Sequence, residues 1–151
     1  MKTVFYTAVS LDGYIAESSH SLDWLFQFGN GEDSSFPSFI REVGAVVMGS
    51  NTYEWVLRNH VFADPDQPKN WPYHQPAWVF TSRSLTRVSG AEVIFASGEI
   101  PTVFSEILAA ADGKNIWVVG GGDLAAQFHE QGLLNEIIVT IAPVILSGGA
   151  P

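Results

Sequence analysis

Cysteine is absent from this 151-residue sequence, so disulfide frameworks and thiolate metal sites are excluded. Positive charge is scarce: seven Lys and Arg face sixteen Asp and Glu, for a formal net charge of −9. Nucleic acids and anionic membrane surfaces reward basic patches, so neither is an expected partner. A small anionic ligand is a different matter, because it needs only one or two local donors. Long hydrophobic runs are also missing, and no membrane span is expected. The opening Met1-Lys2-Thr3-Val4-Phe5 is too short an apolar stretch for a signal peptide, which makes a cytoplasmic location the default. His20, His60, His74 and His129 are scattered, with no i, i+4 pair and no carboxylate at ligand spacing, so no metal site is expected. Ser147-Gly148-Gly149 is not a nucleophile elbow, and the five tryptophans lack the interleaved basic residues of a base-stacking platform. There is no internal repeat and no low-complexity segment.

What remains reads as a globular chain. Hydrophobic residues make up 46% and charged residues 15%, and the length suits a single domain over 1–151 with a real core. Buried-strand patterns fall at 3–10, 45–48, 77–81, 93–95, 116–119 and 136–142. Helical patterns lie between them. One runs from Asp33 or Ser34 to about Arg41 or Glu42, with Phe36, Phe39, Ile40 and Val43 on one face. A second runs from Thr52 to about Arg58 behind a cap at Ser50 or Asn51, and a third starts at Pro101. Pro65, Pro68, Pro72 and Pro76 predict a loop over 59–76, pinned by Trp71 and Tyr73. Strands alternating with helices predict an α/β fold, a three-layer sandwich around a mainly parallel central sheet. Val144-Ile145-Leu146 reads as one more apolar strand, running into Gly148-Gly149 with nothing to close it. The expectation is an interrupted chain whose C-terminal strand or hairpin is missing.

The most informative stretch is Asn115-Ile116-Trp117-Val118-Val119-Gly120-Gly121-Gly122-Asp123-Leu124. An apolar strand stops at three glycines and a helical pattern follows. Glycine lets the backbone turn sharply and lets a ligand approach, since no Cβ intervenes. The new helix aims its free N–H groups at the turn, which favours an anion such as a phosphate. The same glycines can also serve close strand–helix packing. Only Gly120 and Gly122 fit the G-x-G-x-x-G pattern, with Ala125 in the third place, so this is not the full dinucleotide fingerprint.

Two other strand ends share the feature. Met48-Gly49-Ser50-Asn51-Thr52-Tyr53-Glu54 and Phe80-Thr81-Ser82-Arg83 also place glycine or small polar residues just after a buried strand. In open α/β sheets that edge binds ligands. Together with Ser10-Leu11-Asp12-Gly13-Tyr14-Ile15-Ala16 and Leu22-Asp23-Trp24-Leu25, this set resembles the dihydrofolate reductase-like superfamily. Within it, the chain is most similar to the bacterial branch that includes the C-terminal reductase domain of riboflavin biosynthesis proteins. The resemblance covers nearly the whole chain, in order.

That resemblance implies an NADPH-dependent reductase on a sheet of eight strands, of which this chain supplies six or seven. By the resemblance, Gly49, Ser50, Asn51 and Thr52 would hold the cofactor's phosphates at a helix N-terminus. Thr81, Ser82 and Arg83 would surround the adenosine ribose, and Arg83 offers a planar fork to a 2′-phosphate. Val119, Gly120, Gly121, Gly122, Asp123 and Leu124 would meet the pyrophosphate and nicotinamide side, while Ala8 and Ile15 would pack the nicotinamide end. Many family members carry a basic residue where this chain has Ser50, which leaves Arg83 and Arg87 as the available charges. Asp123 either sits beside the phosphate turn or caps the helix. On the substrate side, Asp33 is either the carboxylate that orients the substrate and helps protonate an imine, or a helix cap. Thr140 either supports that carboxylate or is an ordinary strand residue. Trp24 and Phe36 would border the substrate, Trp24 being equally readable as a core aromatic. Asp12 is expected to shape its own turn.

The implied reaction is hydride transfer from NADPH to a C=N or C=O carbon of a pterin- or pyrimidine-like heterocycle. A riboflavin-pathway reductase acting on a ribosylaminopyrimidine is the alternative enzyme, although no basic cluster for its substrate phosphate is evident. A nucleotide-binding module without catalysis and a purely structural oligomer are the alternatives outside enzymes. A homodimer joined through apolar surface near the C-terminal strand is expected.

Overall fold

Six parallel strands carry the molecule. The computed structural model describes residues 1–29 and 34–151. The strands are β1 (Thr3–Ser10), β2 (Val43–Gly49), β3 (Ala77–Phe80), β4 (Val93–Ala96), β5 (Asn115–Val119) and β6 (Glu136–Ala142). They form one sheet in the order β4-β3-β2-β5-β1-β6, with every neighbouring pair parallel. Parallel strands need covered faces, and the near-continuous apolar runs of β2 and β5 supply two buried faces each.

Side-chain alternation divides the core in two. Val46, Met48, Val79, Trp117 and Val119 point to one face, where they pack with Tyr53, Val56, Leu57 and Val61. Ala45, Val47, Trp78, Ile116 and Val118 point to the other, against Ile107, Leu124, Ala125 and Phe128. The first face is covered by α2 (Phe36–Arg41) and α3 (Ser50–Val56), the second by α4 (Ile100–Ala111) and α5 (Gly122–Glu130). The result is three layers. A short helix, α1 (Asp23–Phe26), precedes α2 and buries Trp24.

Several boundaries differ from the sequence reading. The cap of α3 is Gly49, extended at φ −86° and ψ 171°, so Ser50 and Asn51 fall inside the first turn rather than before it. The helical path then continues as a π turn over Leu57–Val61, in which Leu57 and Val61 are buried. In α2 the cap position is Ser35, and the Ser34 hydroxyl accepts the Phe36 N–H at 3.1 Å. The Asp33 alternative lies outside the described residues. The cap of α5 is Gly121, not Asp123, which stands in the first turn.

The largest difference is at the C-terminus: Val144–Leu146 is no strand. Pro143 follows β6, and the chain turns there so tightly that Val144 N–H bonds Ala142 O at 2.8 Å. The segment then folds back across the β1 exit. Leu11 N–H bonds Val144 O at 2.7 Å, Ile15 N–H bonds Ala150 O at 2.7 Å, and Ala16 and Ala150 form an antiparallel bridge.

Candidate functional site

The sheet diverges between β2 and β5. From β2 the chain passes through α3 on one face toward β3; from β5 it passes through α5 on the other face toward β6. Neighbouring strands whose connections leave in opposite directions, over opposite faces, open a crevice beyond their C-terminal ends. Strand register brings three such ends level, with Met48 beside both Val79 and Val119.

A cleft of about 400 Å³ occupies this position. Its walls begin with Gly49, Ser50, Asn51 and Thr52 from α3 and its cap. Val119, Gly121, Asp123 and Leu124 face them, with Gln127 one turn along α5. Phe80, Thr81 and Ser82 after β3, and Ala96 and Gly98 at the end of β4, complete the lining. The first turns of two helices on opposite faces therefore border one space. Free N–H groups at helix starts favour an anion there.

The glycines at this edge do different jobs. Gly120 adopts φ +102°, and a Cβ on it would overlap the Thr52 hydroxyl, so it allows the turn after β5 to press against α3. Gly49 and Gly121 have backbone angles open to any residue, and a Cβ on either would meet nothing within 4 Å. Neither fold geometry nor packing demands glycine at those two caps. Serine, aspartate or asparagine would be at least as good a cap. What glycine keeps there is open space beside unshared N–H groups.

Charge is sparse. Asp123, exposed in the first turn of α5, is the only titratable residue on the lining among the described residues. Arg83 follows Ser82 at the rim, with its N–H bonded to Thr81 Oγ1 at 3.0 Å. Its guanidinium is taken by Glu54 on α3: Nη2 meets Oε2 at 3.1 Å and Nη1 meets Oε1 at 3.4 Å. Arg87 lies over the Phe95 ring, 4.9 Å from its centroid.

Comparison with known proteins now decides the relationship, because the RibD C-terminal domain model matches residues 2–151. The chain belongs to the RibD C-terminal domain family. It is 37% identical to the protein YwjB of Bacillus subtilis (strain 168), over 99% of this chain and 81% of that one. Its fold overlays a protein from Shewanella sp. PV-4, described as a riboflavin biosynthesis protein, with a TM-score of 0.78 and 29% identity, covering 100% of this chain and 82% of the other. It also shares its fold with the dihydrofolate reductase of Enterococcus faecalis, solved with NADP(H), at a TM-score of 0.54 and 17% identity over 99% and 75% of the two chains. The chain thus shares the dihydrofolate reductase fold, as the motifs suggested.

Of the remaining residues singled out from the sequence, those described lie off the cleft lining. Gly122 sits behind it, with Pro151 O 4.0 Å from where its Cβ would stand. Ala8 is half-buried on β1 in register with Thr140, which is exposed on β6. Ile15 packs against the core face that carries α4 and α5. Trp24 is buried, and its indole N–H has no partner among the described residues. Phe36 is half-buried and spends its ring on the core, 5.7 Å from Tyr6 and 5.3 Å from Trp117 by centroids. Asp33 lies outside the described residues.

Sequence reasoning missed Phe80, Ala96, Gly98, Gln127 and Glu54. Ala96-Ser97-Gly98 repeats the signature of small residues after a strand, and that signal was readable. Gln127 follows Asp123 by one helical turn. Glu54 gave no such signal, since it meets Arg83 only through the tertiary fold.

Asp12 does more than shape its turn. Its carboxylate accepts the Ser10 hydroxyl at 2.7 Å, the Leu146 N–H at 3.1 Å and the Ser147 N–H at 2.8 Å. The Ser10 hydrogen bond is the main reason that its pKa lies below the ordinary carboxylate value; the two N–H groups add to this, and desolvation opposes them. Asp12 thereby ties the C-terminal segment to the loop after β1. Among the described residues no helix is long and apolar enough to cross a membrane, and no group of three or more His, Asp or Glu could hold a metal ion.

Proposed function

We propose that this chain is an NADPH-dependent reductase acting on a pterin- or pyrimidine-like heterocycle, with the dinucleotide across the cleft between α3 and α5. The observation that carries the reading is the pair of glycine caps, Gly49 and Gly121, which stand over open space at two helix starts that border one cleft. A pyrophosphate is the group that such a cradle suits. Thr81 and Ser82 offer hydroxyls to a ribose farther along the lining. Hydride transfer is the chemistry a bound nicotinamide supplies; the protein's part is orientation and the exclusion of water. The Enterococcus neighbour is a dihydrofolate reductase that binds NADP(H), which supports a reductase of this class. A riboflavin-pathway substrate finds less support, because the sequence shows no basic cluster for its phosphate.

On the substrate side, the proton comes from Asp33 or from a bound water. Asp33→Asn separates the two: a loss of turnover at unchanged cofactor affinity assigns it to the carboxylate. In solution we infer a homodimer built on the edge strand β6, which exposes Ile137, Val139 and Ile141 in alternation. A monomer by sedimentation would remove that inference.

The test of the cofactor site is fluorescence titration with NADPH, using Gly49→Asp and Gly121→Val. The new aspartate would cap α3 internally, and the new valine side chain would fill the space over α5. Each is expected to weaken NADPH binding by about fiftyfold or more while the protein stays folded. Unchanged affinity in both folded variants would move the cofactor out of this cleft.

A further inference from the structure

The rim of the cleft holds one structural feature that the reductase reading leaves unused. Arg83 directly follows two lining residues, and it is the cation the chain brings next to the ribose end. Yet both of its terminal nitrogens already face a carboxylate, in a two-point pair with Glu54. Glu54 comes from α3, two residues after Thr52 on the opposite wall. Arg87, the other candidate, is committed to the Phe95 ring. The lining itself contributes only the negative charge of Asp123 among the described residues. A phosphate on the ribose would therefore meet a fork already neutralised by Glu54.

Resting on the cofactor site proposed above, we propose that Glu54 sets cofactor choice. By holding the Arg83 fork it competes with a 2′-phosphate for the nearest cation, so that NADPH is preferred over NADH only weakly. The pair spans the rim and is partly exposed, with side-chain exposures of 52% for Arg83 and 37% for Glu54. Such a pair is weak enough to be rewired by one substitution. Removing the carboxylate frees the guanidinium for bidentate contact with phosphate and also removes a like charge. Glu54 is in this sense a specificity residue that acts through Arg83.

The experiment titrates the full chain with NADPH and NADH, and with 2′,5′-ADP and 5′-AMP, which differ only at the 2′-phosphate. Wild type is expected to prefer NADPH by less than about tenfold, and Glu54→Gln to tighten NADPH and 2′,5′-ADP by about five- to tenfold with NADH and 5′-AMP unchanged. Adding Arg83→Ala to Glu54→Gln should abolish the gain, and Glu54→Ala should repeat it. A wild-type preference for NADPH above about tenfold, or no gain in a folded Glu54→Gln protein, overturns the assignment while leaving the cleft intact. Failure of wild type to bind either dinucleotide overturns the reductase reading first, and this assignment with it.

Discussion

Gly44 and Gly121 lie at opposite ends of the sheet, and a methyl group would meet opposite surroundings at the two. Gly44 stands near the start of β2, where a Cβ would run into the backbone of Ala111 at the end of α4. Gly121 stands just past β5, where a Cβ would meet nothing. One glycine serves contact between helix and sheet; the other keeps a space. At the Gly44 end, helix and strand approach as closely as backbone allows, and Asn115 N–H bonds Glu42 O at 2.8 Å beside it. At the Gly121 end, the helices α3 and α5 start on different faces and leave the cleft between them. The difference teaches that close packing and open space are separated along this sheet, and substitutions can test how cleanly.

Gly44→Ala should have the largest effect. The overlap is with backbone rather than with a flexible side-chain tip, so α4 must shift, at a cost of about 3 kcal/mol. Urea unfolding measures this, and a loss under about 1 kcal/mol would mean that the close approach is not what holds that end. Gly120→Ala comes next, at about 2 kcal/mol, because it combines a left-handed backbone with the overlap on Thr52. Thr52→Ala in that background should recover roughly half of the loss, leaving the backbone strain; full additivity would break the proposed contact.

Gly49→Asp should change stability in the other direction, by a gain of about 0.5 kcal/mol from a new cap, while binding falls as described for the cofactor site. A destabilised Gly49→Asp would contradict the open space at that cap. Asp12→Asn should have the smallest global effect and a local one: amide exchange at Ile15 and Ala150 should speed up by about tenfold. The same segment should respond to acid. Because the Asp12 pKa is lowered in the folded state, its stabilisation is present above the ordinary aspartate value of about 3.9 and fades as pH falls through the lower folded value. Wild-type exchange that rises instead between neutral pH and about 5, after correction for intrinsic rates, would assign the effect to another group.

Much of this organisation was legible in the chain itself. Strands such as Ala45–Met48 and Ile116–Val119 are apolar because both of their faces are covered, and that pattern fixes an α/β class with a parallel sheet. Glycine and hydroxyl residues after β2, β3 and β5 marked the edge where the cleft opens. Helix starts were less legible, since Ser50, Asn51 and Asp123 all look like caps, while Gly49 and Gly121 take the cap positions. Side-chain preference is a local signal, and where the backbone leaves the strand is decided by packing. Val144–Leu146 misled for the same reason: its composition suits a strand, but Pro143 turns it away from the sheet edge.

By itself, the sequence determined the layers and the sheet edge where the cleft opens, because strand and helix periodicities and glycine turns are properties of short stretches. Only the tertiary structure decided which glycines bear contact and which keep space, since Gly44, Gly120 and Gly121 are chemically alike. Only it paired Arg83 with Glu54, 29 residues apart, and Asp12 with Ser147, 135 residues apart. Such contacts depend on where distant segments come to rest, and a right-handed crossover can bring together residues that no local pattern connects.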